Sequence, residues 1–323
     1  MSVAWADIAA VRARIAPHLV ETPVIRSAHL DALTGRRVLI KLETVQHTGA
    51  FKFRGAMAKL TGLSPEQQLA GVIAYSTGNH GMAVAEAARR LGIAATVVVP
   101  LDTPAVKVAR MRESGAEIAQ CDRFKENGEE IARSRAAREG RAFVHPFDDE
   151  AVIAGQGTLA AEMIDQARAM GESMDALLVN SAGGGFVGGC AVATAQLSPT
   201  TGVWSVECTA WDAIRRSIAS GRHEDNLAAT PSVCDAIQAR KPGAAGYAAF
   251  KDRLTGAIAV SDAQAIAALR YAFERLRLVV EPGGAVGLAA VLADMLPPEA
   301  RTIGIVLCGG NVDAERFASW IAE

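Results

Sequence analysis

The sequence predicts an α/β protein built on a doubly wound, mostly parallel sheet. Short apolar runs rich in β-branched residues recur along the chain, and segments with helical spacing lie between them. Strands that are separated by single helices imply a mostly parallel sheet. With 323 residues, half of them hydrophobic, the chain is long enough for one large or two closely packed domains.

Seven strands are predicted as buried apolar runs, at residues 37–43, 71–76, 96–100, 117–121, 176–181, 203–208 and 302–309. Seven helices are predicted from the 3.6-residue spacing of apolar positions, at residues 81–91, 105–114, 127–139, 149–169, 186–196, 263–277 and 285–296. The Pro and Gly content of residues 227–246 argues against a regular element there. We expect that segment to be a surface excursion near a site.

Composition excludes several classes of function. The formal net charge is −2, so no global field attracts nucleic acid or an acidic membrane surface. The N-terminus does not resemble a signal peptide, and no apolar stretch is long enough to span a membrane. The five cysteines are scattered and have no CxxC spacing, which favours the cytoplasm and argues against a zinc cluster.

The first candidate site is residues 48–56 (TGAFKFRGA), between the first predicted strand and a helix. Lys52 has a phenylalanine on each side, and an apolar setting disfavours the ammonium form of lysine. A neutral amine is what Schiff-base chemistry needs. The alternative is a lysine whose stem packs at a helix start while its ammonium reaches solvent, with Arg54 solvated beside it.

The second candidate site is the turn at residues 75–81 (YSTGNHG), which follows a predicted strand and precedes a helix. Backbone N–H groups at a helix start bind anions, here a substrate carboxylate. Asn79 is a candidate hydrogen-bond partner for a ring hydroxyl. The alternative is an ordinary capped turn in which His80 is merely packed.

The third candidate site is the glycine-rich loop at residues 180–189 (NSAGGGFVGG). Glycines let the backbone approach a phosphate, and the following helix start supplies N–H donors, so the loop favours a phosphate site over a plain turn. Gly183, Gly185 and Gly188 also match GxGxxG, and Glu207 ends the next predicted strand. A nicotinamide-dependent enzyme therefore stays an alternative, although it gives Lys52 and Asn79 no role.

The fourth candidate site is the end of the last predicted strand, residues 307–313 (LCGGNVD). A small polar residue followed by glycines at a strand's carboxyl end is typical of the ligand crevice of an open α/β sheet. Cys308 is therefore a candidate site residue. The alternative is an inert buried thiol.

Together these segments resemble the threonine/serine dehydratase and serine racemase group of fold-type II pyridoxal 5'-phosphate (PLP) enzymes. The likeness covers about residues 20–315, and its motifs stand in family order at residues 48–56, 76–81, 145–158, 181–186 and 308–313. The resemblance implies a tryptophan synthase β-like architecture of two doubly wound, mostly parallel sheets, with PLP between the domains. The domains so implied are a large one of residues 1–49 and 147–323 and a small one of residues 50–146, with no C-terminal regulatory domain.

The resemblance also implies a role for each matching residue. Lys52 corresponds to the Schiff-base lysine, Asn79 to the partner of the ring hydroxyl, and Cys308 to the group that faces the pyridine nitrogen. The residues assigned to the cofactor in this way are Phe51, Lys52, Asn79, Gly183, Gly184, Gly185, Phe186 and Cys308. Those assigned to the substrate are Ser76, Thr77, His80 and Lys125.

Thr77 and Lys125 have further implications for the reaction. Thr77 stands where the racemase has a serine that acts as a second catalytic base, and its bulkier hydroxyl weighs against racemisation. Lys125 aligns, by a short match, with a substrate-facing arginine of the racemase. Inside the pocket its ammonium would favour a substrate with a second carboxylate, and the alternative is a solvated lysine.

Other departures from the family pattern lie near the cofactor. Ala182 replaces the first glycine of the phosphate loop. The family's divalent cation site uses an acidic residue like Glu207 and another six positions on, where this chain has Ala213 beside Asp212. No metal ligands are therefore assigned.

The predicted function is a PLP-dependent dehydratase, or ammonia-lyase. It eliminates the β-hydroxyl of a small, threonine- or serine-like 3-hydroxy amino acid to give a 2-keto acid and ammonium. The alternatives are an amino-acid racemase and a dehydratase of 3-hydroxyaspartate or of hydroxyectoine breakdown. More remote alternatives are an NAD-dependent oxidoreductase and a non-catalytic PLP-binding protein. The cysteine pattern favours the cytoplasm, and the family expectation is a homodimer.

Overall fold

Ten strands form two sheets in the computed structural model, which describes residues 3–226 and 230–322. The strands are β1 (Val24–Ile25), β2 (Arg37–Leu42), β3 (Val72–Tyr75), β4 (Ala95–Pro100), β5 (Glu117–Cys121), β6 (Ala142–Phe143), β7 (Ala176–Asn180), β8 (Gly202–Cys208), β9 (Leu254–Val260) and β10 (Thr302–Leu307). The larger sheet has the order β1-β2-β10-β7-β8-β9, and the smaller has the order β5-β4-β3-β6. Only β1 runs antiparallel to its neighbour among these strands, which confirms the predicted α/β fold with mostly parallel sheets.

Helices separate most successive strands. They are α1 (Trp5–Ile15), α2 (Ala28–Thr34), α3 (Lys52–Thr61), α4 (Pro65–Ala70), α5 (Asn79–Leu91), α6 (Ala105–Glu113), α7 (Gly128–Glu139), α8 (Glu150–Ala169), α9 (Gly185–Leu197), α10 (Ala213–Ser220), α11 (Ala244–Phe250), α12 (Asp262–Tyr271), α13 (Pro282–Leu292) and α14 (Ala314–Ala322). A π-helical turn at Ala272–Leu276 continues α12. No described helix is both long enough and apolar enough to cross a membrane.

The larger sheet is covered by helices on both faces. Along β2, Leu39 packs in one hydrophobic cluster, with side chains of α1, α8 and α9. Its neighbours Val38 and Ile40 pack in the other cluster, with side chains of α2, α12 and α13. Successive side chains of a strand point to opposite faces, so this alternation gives the doubly wound arrangement expected from the sequence.

The sequence prediction missed three strands. β1 and β6 have two residues each, too few to show a pattern. β9 lies at an edge of the larger sheet, where its mixture of buried and partly exposed residues gives no continuous apolar run. In the excursion predicted at residues 227–246, the first three residues lie outside the described part of the chain. Its end belongs to a regular element after all, because α11 begins at Ala244.

The strand order brings the four candidate segments to the carboxyl ends of the strands. β2, β10 and β7 are neighbours in the larger sheet. The Lys52 segment follows β2, Cys308 follows β10, and the glycine loop follows β7, so all three leave the sheet at the same edge. An isolated β-bridge between Ala50 and Gly309 joins two of these segments. The turn at residues 75–81 begins at the end of β3 in the smaller sheet.

The two sheets draw on different parts of the chain. The smaller sheet takes its strands from Val72 to Phe143, and the larger takes its strands from before and after that stretch. The division into domains at residues 50 and 146 stays a prediction.

Candidate active site

Lys52 opens α3 and is partly exposed. Its Nζ donates a hydrogen bond to the carbonyl oxygen of Pro146 at 2.7 Å and lies 5.2 Å from the centroid of the Phe51 ring. Loss of solvation lowers the pKa of Lys52 to about 8, against the opposing effects of Cys308 and Glu281. A lysine whose ammonium simply reaches solvent does not have such a low pKa. The lowered pKa, together with the hydrogen bond to Pro146, favours the interpretation of Lys52 as a reactive amine.

Arg54 fixes the helix that carries Lys52. It is fully buried, not solvated as the alternative interpretation of this segment required. Its guanidinium donates two hydrogen bonds of 2.8 Å to Glu43, and its Nη2 lies 2.9 Å from Oε1 of Glu162. Lys41 Nζ joins the network at 2.6 Å from the same Glu162 oxygen. Buried charges persist when they are paired and hydrogen-bonded in this way, and the network ties α3 to β2 and α8.

The glycine loop after β7 is closely packed. Gly184 has φ +82°, a backbone conformation that residues other than glycine rarely adopt. A Cβ on Gly183 would overlap the ring of Phe147, and one on Gly185 would overlap the Phe147 carbonyl oxygen. The N–H groups of residues 182–187 have no acceptor within the described part of the chain, although Gly183, Gly184 and Gly185 are buried. Such a row of buried donors at the start of a helix suits an anion.

Two aromatic rings stack beside this loop. Phe51 and Phe186, both assigned to the cofactor by sequence, have ring centroids 4.1 Å apart and planes tilted by 22°. Both side chains are almost completely buried. The stack joins the residue before Lys52 to the first turn of α9.

Cys308 lies directly after β10 with its thiol buried. Burial raises the pKa of this thiol well above its ordinary value, so the sulfur is protonated at neutral pH. Asn180 Nδ2 lies 3.4 Å from Sγ and also donates to the carbonyl oxygens of Gly283 and Gly284, at 2.9 and 2.8 Å. Cys308 is therefore a neutral thiol within hydrogen-bond distance of the Asn180 side chain, and its role toward a pyridine nitrogen stays a prediction.

Asn79 makes contacts that the sequence did not predict. Its Nδ2 donates a 2.6 Å hydrogen bond to Oε1 of Glu281, and its Oδ1 accepts from Nδ2 of Asn311 at 2.9 Å. Burial and the nearby charge of Asp235 raise the pKa of Glu281 to about 7. Sequence analysis missed Glu281, whose only signal was one acidic residue in an otherwise apolar stretch. The carboxylate of Glu281 also raises the pKa of Lys52, against the effect of burial, so Glu281 belongs to this site.

The raised pKa of Glu281 predicts a dependence of stability on pH. The folded, cofactor-free protein keeps a proton on Glu281 at pH values where the unfolded chain has lost it, so stability falls as pH rises through this window. Glu281→Gln keeps the acceptor for Asn79 and removes the titration. Relative to this variant, the wild type should lose about 3 kcal/mol of unfolding free energy between about pH 4 and pH 8, as measured by urea denaturation. Parallel curves of unfolding free energy against pH for the wild type and Glu281→Gln would contradict the prediction. Glu299→Gln, at an exposed position, is the charge-matched control.

The turn at residues 76–80 offers backbone donors. Ser76 Oγ accepts the N–H of Gly78 at 3.1 Å, whereas the N–H groups of Thr77, Asn79 and His80 have no acceptor in the described part of the chain. Thr77 is exposed. His80 is buried and its Nε2 is 2.9 Å from the carbonyl oxygen of Val144, while burial lowers the pKa of His80 to about 3. His80 is therefore neutral, and the turn can receive a carboxylate through its amides.

Lys125 is the one predicted site residue that the structure does not bring to this cluster. Its side chain is 81% exposed, and its Nζ pairs with Oδ2 of Asp122 at 3.1 Å. The segment folds as a surface turn before α7, in which the N–H of Lys125 donates to the carbonyl oxygen of Asp122. The match to a substrate-facing arginine was too short to fix the register of this turn. The solvated-lysine alternative describes Lys125 in this structure.

The Glu207 carboxylate caps the N-terminus of α10 in this structure. It accepts the N–H groups of Ile214 at 3.0 Å and Arg215 at 2.8 Å, at the start of α10. Asp212 pairs with two arginines, Arg215 and Arg216. Residues 3–226 and 230–322 contain no group of three or more His, Cys, Asp or Glu side chains that could hold a metal ion.

Comparison with known proteins shows the family and the relatives of this chain. The family model described as "Pyridoxal-phosphate dependent enzyme" matches residues 15–309. An L-threo-3-hydroxyaspartate ammonia-lyase of a Pseudomonas species is 40% identical over 300 residues, covering 92% of each chain. The solved threonine deaminase of T.th. is 41% identical with a TM-score of 0.89, covering 96% of this chain and 99% of its own. Maize serine racemase is 33% identical with a TM-score of 0.93, covering 100% of this chain and 98% of its own.

Proposed function

This chain belongs to the family of pyridoxal-phosphate dependent enzymes, and we propose that it is an ammonia-lyase that eliminates the β-hydroxyl of a small 3-hydroxy amino acid. The products are a 2-keto acid and ammonium. The observation that carries the proposal is the Lys52 amine, which has a pKa of about 8 and lies where the carboxyl ends of β2, β10 and β7 meet. The names of the 3-hydroxyaspartate ammonia-lyase and the threonine deaminase support the same reaction class.

The residues present fit PLP. The unpaired amides of residues 182–187 suit its phosphate, and the weakly basic amine of Lys52 suits its aldehyde. The thiol of Cys308 is a neutral hydrogen-bonding group, which suits a ring nitrogen that is not kept protonated. Lys52, Asn79, Cys308 and the glycine loop would hold the cofactor.

The chain's own residues account for the steps around the cofactor. Bound PLP supplies an electron sink that makes the Cα proton of an amino acid acidic. The amides of Thr77, Asn79 and His80 hold the substrate carboxylate. Lys52 Nζ takes the proton from Cα, because its lowered pKa keeps a useful fraction of the amine neutral near pH 8. The neutral thiol of Cys308 would leave the ring nitrogen of bound PLP unprotonated, which would limit side reactions that need a stronger electron sink.

A panel assay tests the proposal. L-threonine, L-serine and L-threo-3-hydroxyaspartate are each incubated with the PLP-loaded enzyme, and keto acid and ammonium are measured. We expect the two products in equal amounts from at least one substrate. L-alanine, which has no β-hydroxyl, is the matched control and should release no ammonium. Turnover of none of the three would contradict the proposal.

Racemisation is a second candidate, favoured by the exposed hydroxyl of Thr77 and by the likeness to maize serine racemase. Thr77 makes no hydrogen bond with another described side chain that would orient it as a base. A chiral assay in the same panel separates the two functions. Accumulation of D-amino acid without keto acid would replace the lyase with the racemase.

We also propose two further properties, the cytoplasm, which the cysteine pattern favours, and a homodimer, which is a family expectation. All five cysteines are free and buried, which supports a reducing compartment. The dimer rests on the resemblance alone, and light scattering of the purified enzyme tests it.

A further inference from the structure

Lys107 on α6 lies beside the turn that offers donors for a carboxylate. Its Nζ is 3.5 Å from the position that a Cβ on Gly78 would occupy. On another side it faces Asp235, with 3.9 Å between Nζ and Oδ2. Asp235 belongs to the segment between β8 and β9, whereas α6 and the turn accompany the smaller sheet. The Lys107 ammonium therefore lies between the turn of the smaller sheet and a residue that belongs to the larger sheet's part of the chain. Its positive charge also lowers the pKa of Glu281, against the effect of burial.

The Lys107 ammonium has N–H donors that are not used in hydrogen bonds to described residues. It makes no hydrogen bond with any described residue, although its side chain is only 18% exposed. Its ion pair with Asp235 is longer than a hydrogen bond, and Asp235 is also 3.9 Å from Nη1 of Arg316. Largely buried cations usually have their donors paired. These contacts leave the Lys107 ammonium able to bind an anion that enters the site.

We propose that Lys107 binds the second carboxylate of a four-carbon 3-hydroxy dicarboxylic amino acid and so favours this substrate over threonine and serine. This inference rests on the proposed function and names its substrate class. The amides of Thr77, Asn79 and His80 supply the donors for the first carboxylate. Two carbons separate the two carboxylates of such a substrate, so a cation next to the turn is placed for the second one. Lys125 cannot serve from its surface position.

Lys107→Met tests the proposal, because it keeps the length of the side chain and removes the charge. The value of kcat/KM for L-threo-3-hydroxyaspartate should fall about a hundredfold, as for a desolvated ion pair that loses one partner. That for L-threonine should change by less than about threefold, which also shows that the variant folds. Succinate, a four-carbon dicarboxylate, should inhibit threonine turnover more weakly in the variant. The exposed Lys125→Met is the matched control and should change none of these values.

Asp235→Asn should act in the opposite direction. It removes the carboxylate that now faces Lys107, so the KM for L-threo-3-hydroxyaspartate should fall about threefold while that for threonine stays constant. A purely structural role for Lys107 would not produce this decrease in KM for the dicarboxylic substrate alone.

Equal losses on the dicarboxylic and the neutral substrate in Lys107→Met would overturn the inference, because Lys107 would then serve the first carboxylate or merely hold the turn. An unchanged preference would overturn it too. Absence of keto acid from every substrate of the wild type would instead refute the proposed function. Succinate binding, followed by the visible absorbance of the cofactor, would then still test Lys107 separately.

Discussion

Lys52→Ala should abolish turnover and leave the protein folded. In the proposed reaction, Lys52 both anchors the cofactor and moves the Cα proton, so its loss should lower kcat by ~10⁴-fold or more. The contacts that fix α3 belong to Arg54, Glu43 and Glu162, which the substitution leaves in place. The measurement is keto-acid production by the PLP-loaded variant, with circular dichroism to confirm the fold.

A second measurement identifies the lysine itself. Borohydride reduction followed by peptide mapping should place the cofactor on Lys52 in the wild type and find no such adduct in Lys52→Ala. Lys59→Ala is the matched control, since Lys59 lies on the same helix and pairs with Asp149 at 2.6 Å. Lys59→Ala should keep its activity and should still carry the reduced cofactor on Lys52. Turnover retained by Lys52→Ala, or a label on another lysine, would contradict the assignment.

Part of this site could be predicted from the sequence because each candidate segment follows a predicted strand, whereas the order of the strands could not. Lys52, Cys308 and the glycine loop each follow an apolar run, and parallel strands place such segments at one edge of a sheet. Neither propensity nor periodicity reveals which strands are neighbours. The adjacency of β2, β10 and β7 depends on packing between residues that are far apart in the chain.

The partners of these residues were less predictable. Asn79 and Glu281 are 202 residues apart, and a single carboxylate in an apolar stretch does not indicate what it will meet. The partner of the Lys52 amine is a backbone carbonyl, that of Pro146, which carries no side-chain signal. Lys107 lies in a helix with several other charges and looks like a surface residue until Gly78 and Asp235 are placed beside it. For Lys125 the prediction rested on a short match in a turn, where nothing periodic fixes the register.

Gly185→Ala should weaken PLP binding about a thousandfold. The new Cβ would overlap the Phe147 carbonyl oxygen, which is backbone and cannot move aside as a flexible side chain would. Either the loop shifts and displaces the amides of residues 182–187, or residues 146–147 shift and displace the carbonyl that accepts from Lys52. Losing two hydrogen bonds to a charged phosphate, at about 2 kcal/mol each, gives this factor.

The dissociation constant of PLP, measured by fluorescence titration of the cofactor-free protein, checks the expectation for Gly185→Ala. Gly140→Ala is the matched control. Gly140 caps the end of α7 with φ +66° and open space around its Cβ position, so alanine there strains the backbone at this helix end and should cost stability without weakening PLP binding. This control separates a damaged phosphate site from a generally less stable protein. Wild-type affinity for PLP in a folded Gly185→Ala would show that these amides do not hold the phosphate, and the role of the loop would have to be withdrawn.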